Sequence, residues 1–227
     1  MQELQILAAQ GDARAQNELA SFYRRGRGVT LDPAEAARLG PAAGHGEAAA
    51  WLRKAAEQNH PLALGDLGVA YLKGFGMAKD EQQALLWLRR AAARGNPNSQ
   101  NNLGTLYETG AGMEKDFRTG FVWYQTAARH GDAGGQRNLA RMFQDGTLFP
   151  PDLRIAYAWL SLAARQDRQA AAEKLAVGQQ LTEPQRAEAS LWAAQWKPGA
   201  VIQTEVVDAP SPAASRVEFR AGPTVSP

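Results

Sequence analysis

The sequence predicts an all-α chain built as a solenoid of stacked antiparallel helix hairpins. Three observations lead there. Ala, Leu, Arg, Gln and Glu are abundant and β-branched residues few, a composition that favours helix over strand. Trp51, Trp87, Trp123 and Trp159 stand 36 residues apart, and Leu67, Leu103 and Leu139 keep the same step, as do Tyr71, Tyr107 and Phe143, and Asp80, Asp116 and Asp152. Each period also reads as a helix, a glycine turn and a second helix. A helix pair of this length cannot bury its own apolar face, but stacked copies can.

The elements follow in order. Residues 3–10 align with the end of a second helix, with Glu3 in the tryptophan position, as suits a polar N-terminal cap. The first full repeat carries 12 extra residues between Asp32 and Trp51, placed within 36–47, and Gly40-Pro41 and Gly44-His45-Gly46 are expected to break its second helix. The third repeat is the clearest. Leu103 and Tyr107, four apart, share a helix face. Gly110 and Gly112 supply a turn with positive φ, and Asp116 stands where a second helix needs an N-cap. Trp123, Tyr124, Ala127 and Ala128 then form an apolar stripe of helical period. In the fourth repeat Phe143 replaces Tyr and Leu148 replaces the second turn glycine. Residues 168–180 read as the first helix of a fifth unit. Thr182-Glu183-Pro184-Gln185 is a capping box that opens a last helix running to about Trp196, with Leu191 and Trp192 expected to face the stack. The solenoid is thus assigned to 1–196. From 197 to 227 the chain is proline-rich and aperiodic and reads as a disordered tail, dispensable for folding.

Gly11-Asp12-Ala13-Arg14-Ala15-Gln16 with Leu19, Tyr23, Gly26, Gly28, Val29 and Asp32, and Leu67-Gly68-Val69-Ala70-Tyr71 with Gly74, Gly76, Asp80, Ala84 and Trp87, carry a resemblance. The chain resembles the Sel-one-like repeat (SLR) family, relatives of the tetratricopeptide repeats, over about residues 3–196. The resemblance implies a right-handed α-solenoid and non-enzymatic work as a scaffold or adaptor for a protein or peptide partner. By analogy with related helical-hairpin solenoids, the first helices line a concave groove. The groove positions are then Arg14, Asn17, Arg24 and Arg25 in repeat 1, and Leu62, Val69, Leu72 and Lys73 in repeat 2. Repeat 3 offers Asn98, Asn101, Thr105 and Glu108, and repeat 4 Arg137 and Arg141. Arg14, Arg24, Arg25 and Lys73 would make a basic rim suited to an acidic segment.

Chemistry beyond binding finds little support. There is no cysteine, and the three histidines are too few for an obvious zinc cluster. Phosphate-loop, zinc-protease and nucleophile-elbow motifs are missing, so no catalytic residue, metal ligand or cofactor is assigned. The recurrent aspartates read as helix caps, and His60 and His130 as solvated residues at repeat junctions. A net charge of +2 gives no field for nucleic acid. No apolar run is long enough to span a membrane. No signal peptide is visible, so the chain is expected in the cytoplasm, or in the periplasm or outside the cell if a leader precedes the first residue.

Overall fold

A computed structural model describes residues 1–24, 45–200, 202–204 and 217–218. The described residues form eleven helices. They are α1 (Gln2–Ala9), α2 (Ala13–Arg24), α3 (His45–Glu57), α4 (Pro61–Lys73), α5 (Glu81–Ala93) and α6 (Pro97–Thr109), then α7 (Phe117–Arg129), α8 (Ala133–Asp145), α9 (Leu153–Ala163), α10 (Arg168–Gly178) and α11 (Glu183–Gln195). The architecture is an all-α solenoid of helical hairpins. None of the described helices is long and apolar enough to cross a membrane. The chain divides into two compact units, one of Met1–Ser99 with Ala111–Met113, the other of Gln100–Gly110 with Glu114–Pro227.

Local chemistry sets the hairpin ends. Asp80 accepts the Gln83 N–H at 2.9 Å, Asp116 those of Arg118 and Thr119 at 2.9 and 3.1 Å, and Asp152 those of Arg154 and Ile155 at 2.9 and 3.3 Å. These carboxylates satisfy helix N–H groups that otherwise have no partner. Asp32 lies outside the described residues. His60 also caps a helix: its Nδ1 accepts the Ala63 N–H at the start of α4. Thr182 and Gln185 form the full capping box of α11. Two turn glycines are required twice over. Gly76 and Gly112 have φ of 67° and 72°. A Cβ on Gly76 would collide with the His45 carbonyl, and one on Gly112 would sit 2.8 Å from the Glu81 oxygen. Each turn therefore rests on the first residue of the preceding second helix.

The first unit runs α1 to α5, each helix packed on the next. Its core is aliphatic: Leu19, Leu64, Leu67 and Leu88 are fully enclosed, with Trp87 beside them. Each such leucine contributes roughly 1.5–3 kcal/mol. Gly46 does not break the second helix of repeat 1, because it lies in the first turn of α3, where a glycine disturbs the hydrogen-bond ladder least. The rest of the insertion, up to 44, lies outside the described residues.

The second unit packs α7 on α8, α8 on α9, and α9 on both α10 and α11. Its core is richer in large side chains, with Tyr124, Met142, Phe143, Trp159 and Trp192 in one cluster. Leu191 does not face that cluster but is 54% exposed. Neighbours on a helix point about 100° apart, and Ala189, Trp192 and Ala193 already make the buried stripe. Beyond Trp196 the chain stays on this unit for several residues. The Trp196 indole donates to the Ala200 carbonyl at 2.9 Å. Gly199 and Arg129 exchange two hydrogen bonds, N–H to the Arg129 carbonyl at 2.8 Å and Arg129 Nε to the Gly199 carbonyl at 2.9 Å. Ile202 is buried in the core. Close by in sequence is the one strand pairing among the described residues, a two-residue antiparallel ladder of β1 (Gln203–Thr204) and β2 (Val217–Glu218).

Candidate partner-binding site

In the first unit, α2 and α4 are the first helices of successive hairpins, and α3 lies beneath them. Between them is a cavity of about 140 Å³. Its floor is Ala48, Ala49 and Leu52 from α3, with Ala20 from α2 and Ala70 from α4. Val69 forms part of the wall. Small residues make the space: alanines at these positions leave uncovered the volume that longer side chains would fill.

The rim is charged. Arg24 Nη1 lies 3.8 Å from Asp66 Oδ2, with both side chains more than 40% exposed, so the pair is loose. Burial pushes the Asp66 carboxyl above the ordinary carboxylate range, and Arg24 offsets this only in part. The Lys73 ammonium stands 5.8 Å from the centre of the Phe75 ring. His45 meets the same ring edge-on, at 5.6 Å between centroids.

The other groove candidates of this unit lie elsewhere. Arg14 and Asn98 are exposed at their helix starts. Asn17 is half-buried, with its Oδ1 enclosed and unpaired. Leu62 is 59% exposed on the first turn of α4, and Leu72 is half-buried. Arg25 lies outside the described residues. The structure thus gathers Arg24, Val69 and Lys73 round one pocket. To them it adds Asp66, Ala49, Leu52 and Phe75, which sequence reasoning passed over.

The same face of the second unit is occupied by its own side chains. Arg141 Nη2 donates to both carboxylate oxygens of Glu108, at 2.8 and 2.6 Å. The Tyr124 hydroxyl donates to Glu108 Oε2 at 2.7 Å and exchanges a hydrogen bond with Thr105 Oγ1 at 3.1 Å. Asn138 donates to Asn101 Oδ1 at 2.8 Å, and Arg137 pairs with Asp167 at 2.9 Å. Burial alone would raise the Glu108 carboxyl; the hydrogen bonds from Arg141 and Tyr124 outweigh it and hold the group below its ordinary value. Burial also drives the Tyr124 hydroxyl far up, so it stays a donor. Asn101, Arg137 and Arg141 all have partners inside the unit.

Aligning the two faces by the repeat explains the difference. Seventy-two residues separate equivalent positions of α3 and α7, and of α4 and α8. Ala49 then corresponds to Phe121, Leu52 to Tyr124, Val69 to Arg141 and Ala70 to Met142. All four positions are larger in the second unit. Phe121 there meets Phe143 and Phe149 edge-on at 6.0 and 5.2 Å. The four smaller residues of the first unit all line its cavity.

The model of the Sel1 repeat matches residues 13–39, 44–60, 61–96, 97–132 and 133–167. Among solved structures, a protective antigen present in uropathogenic Escherichia coli strains, displaying an SLR fold, is similar at 28% identity with a TM-score of 0.71. The match covers 85% of this chain and 39% of that one, so this chain spans well under half of the antigen's length. A Sel1 repeat protein from Oxalobacter formigenes is similar at 29% identity with a TM-score of 0.64, over 82% of this chain and 74% of that one. No curated protein gives a significant match.

Proposed function

The chain belongs to the Sel1 repeat family, and from that premise we propose that it is a non-enzymatic scaffold that binds a segment of a partner protein on the α2–α4 face of its first unit. Sel1 repeats generally mediate protein–protein interaction, which supports a protein partner over a small-molecule substrate. The observation that carries the reading is the open cavity ringed by Arg24, Asp66 and Lys73, at a position the second unit fills with its own side chains. A pocket of this kind suits an anchor side chain, with a polar rim that fixes direction.

The test is affinity capture from the source cells with the full chain, alongside Ala49→Phe and Ala70→Met. Each substitution introduces the side chain that the second unit carries at that position. A partner held by the wild type and lost by both variants, with their helical circular dichroism intact, supports the reading. Equal capture by all three overturns it.

A further inference from the structure

Resting on that reading, we infer that the pocket of the first unit takes one aromatic side chain of a partner segment in which carboxylates flank the aromatic residue. Size is the first argument. The space is about 140 Å³, close to the roughly 150 Å³ of an apolar cavity that accepts a benzene ring. The floor, from Ala48, Ala49, Leu52 and Ala70, offers no side-chain polar atom, so a charged or amide group entering it would lose its hydration without compensation.

The second argument is the filled counterpart. At the matching place in the second unit the chain supplies the phenol ring of Tyr124, 0% exposed, and the phenyl ring of Phe121, 8% exposed. The same backbone frame therefore accommodates aromatic rings there. In the first unit Phe75, 39% exposed at the rim, presents a further ring for an edge-to-face contact.

Charge supplies the flanking residues. Arg24 and Lys73 outnumber Asp66 on the rim, and no ion pair to Lys73 is present among the described residues. In the second unit a carboxylate, Glu108, is clamped by two hydrogen bonds from Arg141. The first unit has the cations but only the loose carboxylate of Asp66 to set against them. An incoming carboxylate completes the balance at Lys73 and competes with Asp66 for Arg24.

The experiment is a fluorescence-anisotropy titration of the full chain with a blocked, dye-labelled heptapeptide, Gly-Asp-Glu-Phe-Asp-Glu-Gly. The controls carry alanine for phenylalanine, or lysine for every acid. Binding of the first peptide, weakened at least about tenfold in either control, is expected, because burying the ring and pairing the acids each carry that much. Ala49→Phe and Ala70→Met should weaken it by about tenfold or more, and Lys73→Glu, a rim change that leaves the floor intact, by about fivefold. No binding up to millimolar chain, or equal binding of the alanine peptide, overturns the inference. If the peptide fails while Ala49→Phe still abolishes partner capture, the aromatic-acidic assignment falls and the scaffold reading stands. If sedimentation shows a wild-type dimer that Ala49→Phe dissociates, the occupant is a second copy and the inference is likewise overturned.

Discussion

The two units of this chain use one repeat frame for opposite ends. In the second, the space between successive first helices is closed by Tyr124, Phe121 and Met142 and tied by Glu108 and Arg141. In the first, the corresponding space is open, floored by Ala49, Leu52 and Ala70 and bordered by a loose Arg24–Asp66 pair. The backbone differs little in kind: helix, glycine turn, helix in both. What separates the filled face from the open one is side-chain volume at four positions. A solenoid can therefore open a cavity by truncation, without new backbone, provided the neighbouring repeats hold the frame.

That comparison can be broken most readily at its centre. Tyr124→Ala empties a packed site and should cost about 3–5 kcal/mol, whereas Leu52→Ala, which only widens an existing cavity, should cost about 2 kcal/mol. Urea unfolding of both variants checks this, and equal losses would mean that the first unit is as tightly filled as the second. Next in size is the chain end. Removing residues 201–227 deletes Ile202, 1% exposed in the second core. It should cost about 1.5–3 kcal/mol by the same measurement. An unchanged midpoint would place the end of the second core before Ile202.

Smaller effects separate the ion pairs. Arg141→Met should cost about 1 kcal/mol, because its two hydrogen bonds to Glu108 are strong but its side chain is 44% exposed and partly screened. Arg24→Met should cost less than about 0.5 kcal/mol, since the contact is long and exposed on both sides. The smallest signal is in pH. Glu108, held below its ordinary value, adds stability above the ordinary carboxylate range and loses it as pH falls through its folded pKa. Asp66, held above by burial, behaves in reverse: ionised it costs stability, and the fold gains as pH falls through the raised value. Asp132, the half-buried cap of α8, shares the Asp66 direction within the second unit, so the measurement must be residue-specific. Carboxyl-carbon NMR titration should place Asp66 above and Glu108 below their ordinary values; the reverse order would remove the electrostatic half of the contrast.

How far the sequence alone reaches depends on the range of the interaction. Glycine turns, aspartate caps and the Thr182–Gln185 box were legible because each depends on neighbours within a few residues. The hairpin solenoid was legible because its signal repeats. The groove was legible only in part. Asn101, Arg137 and Arg141 read as outward-facing polar residues, but their partners Asn138, Asp167 and Glu108 lie 30 to 37 residues away, and the pairs do not recur from repeat to repeat. The cavity left a fainter trace, since it consists of missing volume. Comparing Ala49 with Phe121 and Ala70 with Met142 in register would have exposed it; searching for chemistry-bearing residues could not. Even the tryptophan series is less uniform than its spacing: Trp87 and Trp159 are buried, Trp51 and Trp123 only half so.

The staples of the second unit have a mechanical meaning. Asn101–Asn138, Glu108–Arg141 and Arg137–Asp167 each join positions about one repeat apart, so they act as cross-ties that resist splaying of adjacent hairpins. The first unit has one long, exposed pair at the comparable place. The α2–α4 junction is therefore expected to part at lower force than its counterpart in the second unit. A ligand wedged between α2 and α4 would stiffen it, so that occupancy could be read as a change in compliance.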